Sequence, residues 1–502
     1  MFKNLTISIC LFSLVLFGCS QKKLTPKDIL VVAIDSEPSN LDPRFALDAY
    51  SQRIDQLLFD GLVILNNNLE VVPHLATHWT VRNNKIYQFT LHPNLTFHDG
   101  TPLTAHDIAF TLEQILDPAF GSPLLGSFKN VEKIIVLNKL ALEIHLKEPQ
   151  ASFLTDLTLI KALPHQKMKD SKVPFKDVLI GSGPYTFLKK EVNTIILKKN
   201  PTHFLFKPKM ENLIFKVIKD DNTRSLKLKK GEIDLIQNAL SSDSVIKLSQ
   251  DPHLTLTKSA GLTYSYLGFN LKDPILKNKK FRQAMSYALD RKTIIEHLLQ
   301  NLATSANSIL SPLNHYYDST LSQTDFNLEK AKELLKESQV PLPVKLIFKT
   351  STDTQAINIA RLISDQLKAL GVMVELRTNE WGTFFNDIQT GNFQLFSLRW
   401  VGVTDPDIYY DAFHSSNFPP GKNRIYYSNP TTDRLLQEGR VELNPEKRKK
   451  IYARVQKILA EEVPYIHLWH FNNVALYTQR LKGFYFHPQA NFMPLIDVFK
   501  DD

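Results

Sequence analysis

Cysteine is all but missing from this chain: Cys10 and Cys19 are the only two in 502 residues. Both fall near the start, so the body of the chain has no thiol. That excludes disulfide frameworks, cysteine metal sites and cysteine nucleophiles there, and it suits an oxidising compartment, where a stray thiol is a liability. Other signatures are absent too. There is no HExxH for a zinc peptidase and no GxSxG for a serine hydrolase. Gly181-Ser182-Gly183 has the wrong spacing for a phosphate cradle, and no Lys-Ser/Thr pair follows it. Carboxylate pairs are too common to specify a reaction, so neither catalysis nor a cofactor is expected. Beyond the first residues, no apolar run is long enough to cross a membrane. The net charge of +9 is spread along the chain. Its densest basic groups, at 227–230, 277–280 and 447–450, sit beside turns or helix faces. Nucleic-acid binding would need them gathered with aromatics on one surface. The basic balance instead suits a place near an anionic membrane surface.

What is present is ordinary for a folded globular chain, with 43% hydrophobic and 22% charged residues. The start is the exception. Lys3 precedes an almost unbroken apolar run from Leu5 to Phe17, then Gly18 and Cys19, then polar Ser20 to Lys23. The run is short for a bilayer and has the order of an export signal. A cysteine directly after a small residue at that junction resembles a bacterial lipoprotein cleavage site. The resemblance implies cleavage before Cys19, loss of Cys10 and lipid on Cys19, a lasting anchor if two or more chains are attached. The alternative is an ordinary signal peptide. Roughly 480 residues then remain, enough for two or three domains with substantial cores.

Hydrophobic periodicity divides this body into elements of an α/β fold. Strands are expected at 29–34, 86–91, 134–136 and 142–146, with helices over 49–65 and 108–116. Thr104 and Asp107 form a capping box before the second helix. The punctuation Gly181 to Tyr185 suits a tight chain crossing, and strands at 185–188, 194–197 and 213–217 follow it. From Leu262 onward, strands at 262–270, 344–348, 372–376 and 465–469 alternate with helices at 281–299, 328–336, 354–370, 432–438 and 444–461. This alternation argues a second α/β domain.

One stretch stands apart: FQLFSLRWVGVTDPDIYYDAFHS, from Phe393 to Ser415. It opens as an alternating strand, meets the turn residues Gly402, Thr404, Asp405 and Pro406, and continues with Ile408, Tyr409, Tyr410 and Phe413 at helical spacing. The strand thus delivers Arg399 and Trp400 to its own end. A guanidinium, an indole and two carboxylates there suit the mouth of a pocket for a small polar ligand. On the other reading Trp400 merely packs and Arg399 pairs with Asp405 or Asp407.

Ten short motifs occur in a fixed order over roughly 360 residues. They are LDP at Leu41, FDGLV at Phe59, PHLATHW at Pro73, LTFHDGTPLTAHDIAFTL at Leu95 and GSGPY at Gly181, then GEIDL at Gly231, LGFN at Leu267, FRQAMSYALDR at Phe281, LGVMVEL at Leu370 and RWVGVTDPD at Arg399. The set resembles the family 5 extracellular solute-binding proteins, the peptide- and nickel-binding components of ABC importers. The resemblance implies a periplasmic-binding-protein-like fold: two α/β lobes joined by a hinge, with an extra α/β domain inserted in the first. Domain I would take 28–59, 180–260 and 474–502, domain II 60–179 and domain III 261–473. It further implies a monomer on the periplasmic side of the envelope, lipid-anchored, that captures oligopeptides and delivers them to permease subunits. The alternatives are a nickel-type metal chelate or another small solute such as glutathione, and a peptide-holding surface lipoprotein without a transporter.

Under this resemblance Arg399, Trp400, Val401 and Gly402 line the cleft. An extended peptide would be held there by main-chain hydrogen bonds, with wet pockets for its side chains. Family peptide binders usually place an Asp three residues after the Trp, for the ligand's ammonium; here that position is Val403. Either Asp405 takes its place or the ligand has no free amino terminus there. Nickel-complex binders lack that Asp as well. Tyr264, Tyr266 and Asn270 would face the cleft from a neighbouring strand, offering rings and hydroxyls, or else fill the core. Trp381 would add a second wall, and Asp48 and Tyr50 would approach from the first domain. Arg399 would hold a ligand carboxylate, or tie Asp407 or Glu380. Among the histidines, His74 and His78 are expected in a loop leading to Trp79, away from the cleft. His467 and His470, three apart on a strand, are expected on opposite faces. His414 alone is kept as a ligand for a metal complex; no other metal site is expected.

Overall fold

Two long antiparallel strands, Leu254–Phe269 and Tyr465–Thr478, carry the architecture of the computed structural model, which describes residues 24–170, 175 and 179–501. The expected signal and Cys19 lie outside the described residues. Each long strand belongs to both lobes. Leu254 to Ser259 pair with Thr478 to Asn473, and Thr263 to Gly268 pair with Phe471 to Tyr465. Between these runs Ala260, Gly261 and Leu262 stand against Asn472 alone, so the ladder bulges where the chain crosses. A bulge bends a strand and raises its twist. A Cβ on Gly261 would lie 2.3 Å from the carbonyl oxygen of Phe471, so only glycine fits there. Asn473 clamps the crossing, donating to the carbonyls of Pro488 (3.1 Å) and Ala260 (3.4 Å) and accepting from Asn238.

The rest of an eleven-stranded sheet grows outward from this pair. On the first-lobe side come Leu235–Gln237, Ile29–Ile34, Asn212–Val217, Thr194–Lys199 and Tyr185–Glu191. Ile29–Ile34 is apolar at every position because parallel neighbours flank it and both its faces are covered. Leu30, Val32 and Ile34 join a core with helix Ala49–Leu58, whereas Val31 and Ala33 face Leu228, Val245 and Leu248 of two other helices. On the second-lobe side come Leu395–Trp400, Val344–Ser351 and Val372–Asn379. There Leu267, Phe269 and Leu395 enter one core, and Tyr264, Tyr266, Phe396 and Leu398 enter the other. Residues between Leu62 and Ala162 form a core of their own around the antiparallel sheet Ala76–Arg82, Ile86–Leu91, Ala141–Leu146, Val131–Asn138.

Four sequence expectations need revision. Helix Ala49–Leu58 stops well before residue 65, and Val63–Leu65 is instead a strand paired with Val71–Pro73. Gly181 and Gly183 press on the backbone of Leu57 and Leu58, and the Gly183 amide donates to the Leu58 carbonyl at 2.9 Å. A passing chain thus takes a carbonyl that a longer helix would have used. The helix expected over 281–299 ends at Tyr287, and Asp290 caps a new turn by accepting from the Thr293 amide. His78 lies on strand Ala76–Arg82 rather than in a loop. Finally, the last long strand does not stop at residue 469 but runs on through the crossing to Thr478.

The crossing predicts a graded glycine response. Gly261→Ala forces its methyl against main chain and lowers stability by about 1–3 kcal/mol, read from urea midpoints. Gly126→Ala, in helix Leu125–Phe128 with open space around it, leaves the midpoint unchanged or slightly raised.

Candidate functional site

Strand Leu395–Trp400 pairs with Tyr264 to Phe269 and ends with Trp400 opposite Tyr264, three residues beyond Gly261. The strand end therefore stands beside the crossing between the lobes. The Val403 amide donates to the Leu262 carbonyl at 3.4 Å and fixes the turn that follows. Gly402 turns the chain at φ +66° with open space around it, and Val401 is 66% exposed.

Aromatic rings line up behind this edge. Trp381 is 55% exposed and stacks on Phe385 with centroids 5.6 Å apart. The Arg424 guanidinium lies 5.3 Å from the Phe385 ring centre and 5.0 Å from that of Trp400. Trp400 is nearly parallel to Tyr266 at 6.4 Å, and Tyr266 stacks on Tyr465 at 4.0 Å and on Tyr264 at 5.7 Å. The Trp400 indole nitrogen is buried without a hydrogen-bond partner, whereas the buried Tyr266 hydroxyl is engaged by Tyr465 and Arg424. Burial raises all three of Tyr264, Tyr266 and Tyr465 above the ordinary phenol range.

The structure thus brings Trp400, Val401, Gly402, Trp381 and the tyrosine pair to one wall, with the tyrosines behind it and fully buried. Arg399 stands beside it. Its guanidinium sits 4.3 Å from the Phe471 ring centre and donates to Gln355 at 3.0 Å. Neither Asp407 nor Glu380 pairs with Arg399: Asp407 faces Arg440, and Glu380 caps helix Trp381–Thr390.

Other expected residues have different duties. Asp405 does not replace the missing ammonium ligand as it stands, because Arg448 grips both its oxygens at 2.7 and 2.9 Å. Burial alone would lower the Arg448 guanidinium; the Asp405 charge outweighs it and raises it. Asn270 lies at the far end of its strand and holds a turn, donating to the carbonyls of Phe393 and Gly391. Asp48 caps helix Ala49–Leu58 and ties it to Ser39 of the preceding loop. Tyr50 is buried against Phe492. His414 is buried too, accepting from the Ser416 amide and meeting Gln437 at its other nitrogen, which leaves no nitrogen for a metal complex.

Two histidine groups are arranged otherwise than the sequence leads one to expect. The register shifts between Ser265 and Tyr266, leaving Leu468 unpaired, so His467 and His470 share a face beside Tyr264 instead of opposing each other. Burial lowers them to about 3 and about 4, so both rings are neutral. Elsewhere Asp60, His74 and His203 cluster with metal-ligand spacing. The ring of His203 argues against an ion there. Its Nδ1 accepts from the amides of Leu205 and Phe206, so the proton of the neutral ring sits on Nε2, aimed at Asp60. A metal needs a lone pair at that nitrogen. The trio is a hydrogen-bonded strut, with Asp60 held well below the carboxylate range by both histidines against the cost of burial.

A cavity of about 300 Å³ lies away from the wall, between helix Ala49–Leu58, Lys161 and the C-terminal segment around His487. Its unpartnered groups, both oxygens of Asp55 and Oε1 of Gln56, suit ordered water in a space of this size.

Next to the wall, the inserted domain touches the second lobe. The Ala151 amide donates to the Arg440 carbonyl at 2.7 Å. Asp156, in helix Phe153–Leu157, faces Asp405 and Asp407. Burial and the Asp405 charge push Asp156 up to about 8; burial pushes Asp407 up to about 6, with Arg440 opposing.

Two α/β lobes on crossing strands are the architecture of a solute-binding protein. The chain belongs to the bacterial extracellular solute-binding proteins, family 5: the model described as "family 5 Middle" matches residues 70–419. It is 28% identical over 498 residues to the periplasmic murein peptide-binding protein MppA of Escherichia coli, covering 92% of this chain and 91% of that one. Among solved structures it is similar to the oligopeptide-binding protein AppA of Bacillus subtilis in complex with a nonapeptide. That match has a TM-score of 0.78 and 25% identity over 94% of this chain and 99% of AppA. It is also similar to the ABC transporter substrate-binding protein CtaP of Listeria monocytogenes, with a TM-score of 0.86 and 26% identity over 94% and 99% of the two chains. These relatives are solute-binding proteins rather than enzymes.

Two predictions follow from the charges. Arg448→Met leaves Asp405 shielded and unpaired and lowers unfolding free energy by about 3–5 kcal/mol, measured by urea titration. The raised carboxyl of Asp156 gives a pH slope. Its contribution to stability is complete below about pH 4, where both folded and unfolded chains hold the proton, and is lost as pH rises toward 8. Thermal midpoints compared at matched ionic strength should therefore fall from pH 5 to 8, less steeply in Asp156→Asn.

Proposed function

We propose that this protein captures oligopeptides in the crevice between its lobes and hands them to a membrane permease of an ABC importer. The observation that carries this reading is the wall Trp381–Phe385–Arg424–Trp400 at the crossing, half-open and, among the described residues, with no carboxylate paired to Arg424. Flat rings and a guanidinium accept many side chains, while a peptide's own backbone supplies the common hydrogen bonds. MppA and AppA, named for binding peptides, support the same ligand class. The gripping halves would be domain I (28–59, 180–260, 474–502) and domain III (261–473), with domain II (60–179) as a buttress. A lipid on Cys19 would hold the protein at the outer face of a membrane, as a monomer beside its permease. A nickel-chelate ligand is disfavoured because His414 is already engaged on both nitrogens.

Native mass spectrometry of the protein purified from its own cells identifies the carried ligand, and calorimetry with a mixed peptide pool, glutathione and nickel–histidine ranks the classes. Trp400→Ala is expected to weaken peptide binding at least tenfold while moving the melting midpoint by only a few degrees. Tight binding of nickel–histidine or glutathione with none of peptide would overturn the reading.

A further inference from the structure

The segments that enter and leave the inserted domain run side by side where they meet helix Ala49–Leu58. The Ala162 amide donates to the Asp60 carbonyl there at 2.9 Å, and the cavity of about 300 Å³ lies against this junction. The helix presents two different faces. Ile54, Leu57 and Leu58 pack into the first-lobe core. Gln52, Asp55 and Gln56, three and four apart, line the cavity together with Phe59 just past the helix end. A buried acid needs a partner. Asp55 is 2% exposed, and neither of its oxygens has one among the described residues. Gln56 Oε1 is unpartnered as well.

The other acids around this helix are committed. Asp42 grips Arg44, Asp48 caps the helix and accepts from Ser39, and Asp60 is held by His74 and His203. Lys161, on another part of the lining, is 6% exposed and gives one of its three protons to the Thr158 carbonyl at 3.1 Å. Burial raises the Asp55 carboxyl, against the pull of Lys161, and lowers the Lys161 ammonium, against that of Asp60 and Asp55. An acid and a base thus face one space and sense each other without a bond between them. Water can satisfy their hydrogen bonds one at a time, but it brings no charge, and a buried charge without a bonded counter-charge is the expensive case. A lone amine would also meet Lys161, and a lone carboxylate would also meet Asp55. A molecule bearing both groups a few bonds apart suits the pair. Phe59, Leu124, Leu159 and Met493 supply apolar lining around it, in a space at the small end of ligand pockets. Exposed Asn67 and Tyr485 mark where the cavity reaches the surface.

We infer that this cavity is a second binding site, for a small zwitterion of the size of a free amino acid with an apolar side chain. Asp55 and Gln56 take its ammonium, and Lys161 takes its carboxylate through charge-assisted hydrogen bonds. The inference goes beyond the peptide reading and does not depend on it, because the site lies between helix Ala49–Leu58 and the inserted domain and shares no residue with the wall. Its occupant would tie these two parts together beside the segments that join them.

The test is calorimetry on the full chain with leucine, leucinamide and N-acetylleucine as probes. Leucine is expected to bind at least about tenfold tighter than either of the others, since each of them lacks one charge. Asp55→Asn and Lys161→Met, which keep the shape of the side chain, should each weaken leucine by about tenfold or more. The two variants should also differ in kind: Asp55→Asn brings leucine down to the level of N-acetylleucine, and Lys161→Met brings it down to that of leucinamide. A merely structural role would not produce that split. Trp400→Ala should leave leucine binding as it is. Equal binding of the three probes overturns the inference, as does leucine binding that is lost in Trp400→Ala and kept in Asp55→Asn; either result leaves peptide capture intact. Crystals of the parent protein grown with free selenomethionine decide the matter without any variant. An anomalous selenium peak in this cavity upholds the inference. Ordered water alone there, with selenium at the wall or nowhere, overturns it.

Discussion

The pairing of Leu254–Phe269 with Tyr465–Thr478 is the constraint on which everything else depends. A β-ladder fixes which residues stand opposite one another, and a slip of one residue would turn every side chain to the other face. Here the same two strands set the register of both lobes. The three-against-one bulge at Ala260–Leu262 separates the two runs without breaking either chain's path. Rotation at such a point needs only a few backbone dihedrals to change, which is what hinge motion requires. The ladders on each side stay rigid because each is sealed into its own core.

The wall follows from that register. Tyr264 and Tyr266 lie on one face of their strand, and Trp400 stands opposite Tyr264, so the rings meet as a stack. Moving away from the crossing, the stack continues through Tyr465, opposite Gly268, and gives way to Phe396 and Phe393 packed edge-to-face. The hydrophobic bulk of these side chains anchors the wall in the lobe. The arrangement is stiff where it packs and chemically versatile where it ends, which is how a pocket combines broad acceptance with a fixed orientation.

Much of this was legible in the residues, and what was not has physical reasons. Alternation located the strand that delivers Arg399 and Trp400, and capping chemistry located the start of helix Ala105–Leu116. Periodicity also put Tyr264 and Tyr266 on one face, but it does not say what covers that face, and here both rings are sealed. Helix Ala49–Leu58 ends where two distant glycines press on it, a tertiary event invisible to local propensity. Arg424 sits in an irregular segment with no period to flag it; only the fold brings it to Phe385 and Trp400. Asp405 is acidic in the turn after the strand, which is all a sequence shows, and its commitment to Arg448 comes from a helix residue far along the chain. The histidines at 467 and 470 were misplaced by the bulge at Leu468, since strict alternation fails where a strand carries an extra residue.

The charges beside the wall bear on how the lobes come together. Asp156 of the inserted domain faces Asp405 and Asp407 of the second lobe, and Arg440 and Arg448 are the cations paired with this group among the described residues. Three carboxyls buried beside two guanidinium groups cannot all be ionised cheaply, so Asp156, raised by burial and by the Asp405 charge, holds its proton at neutral pH. Holding Asp156 against the second lobe therefore costs stability near neutral pH, and the Ala151 to Arg440 hydrogen bond is a small return against it. A ligand that touches both lobes must supply the difference, because only a contact that differs between open and closed forms can shift their balance. Under the proposed reading, a solute lying on the rings and Arg424 of one lobe would complete a surface for the other.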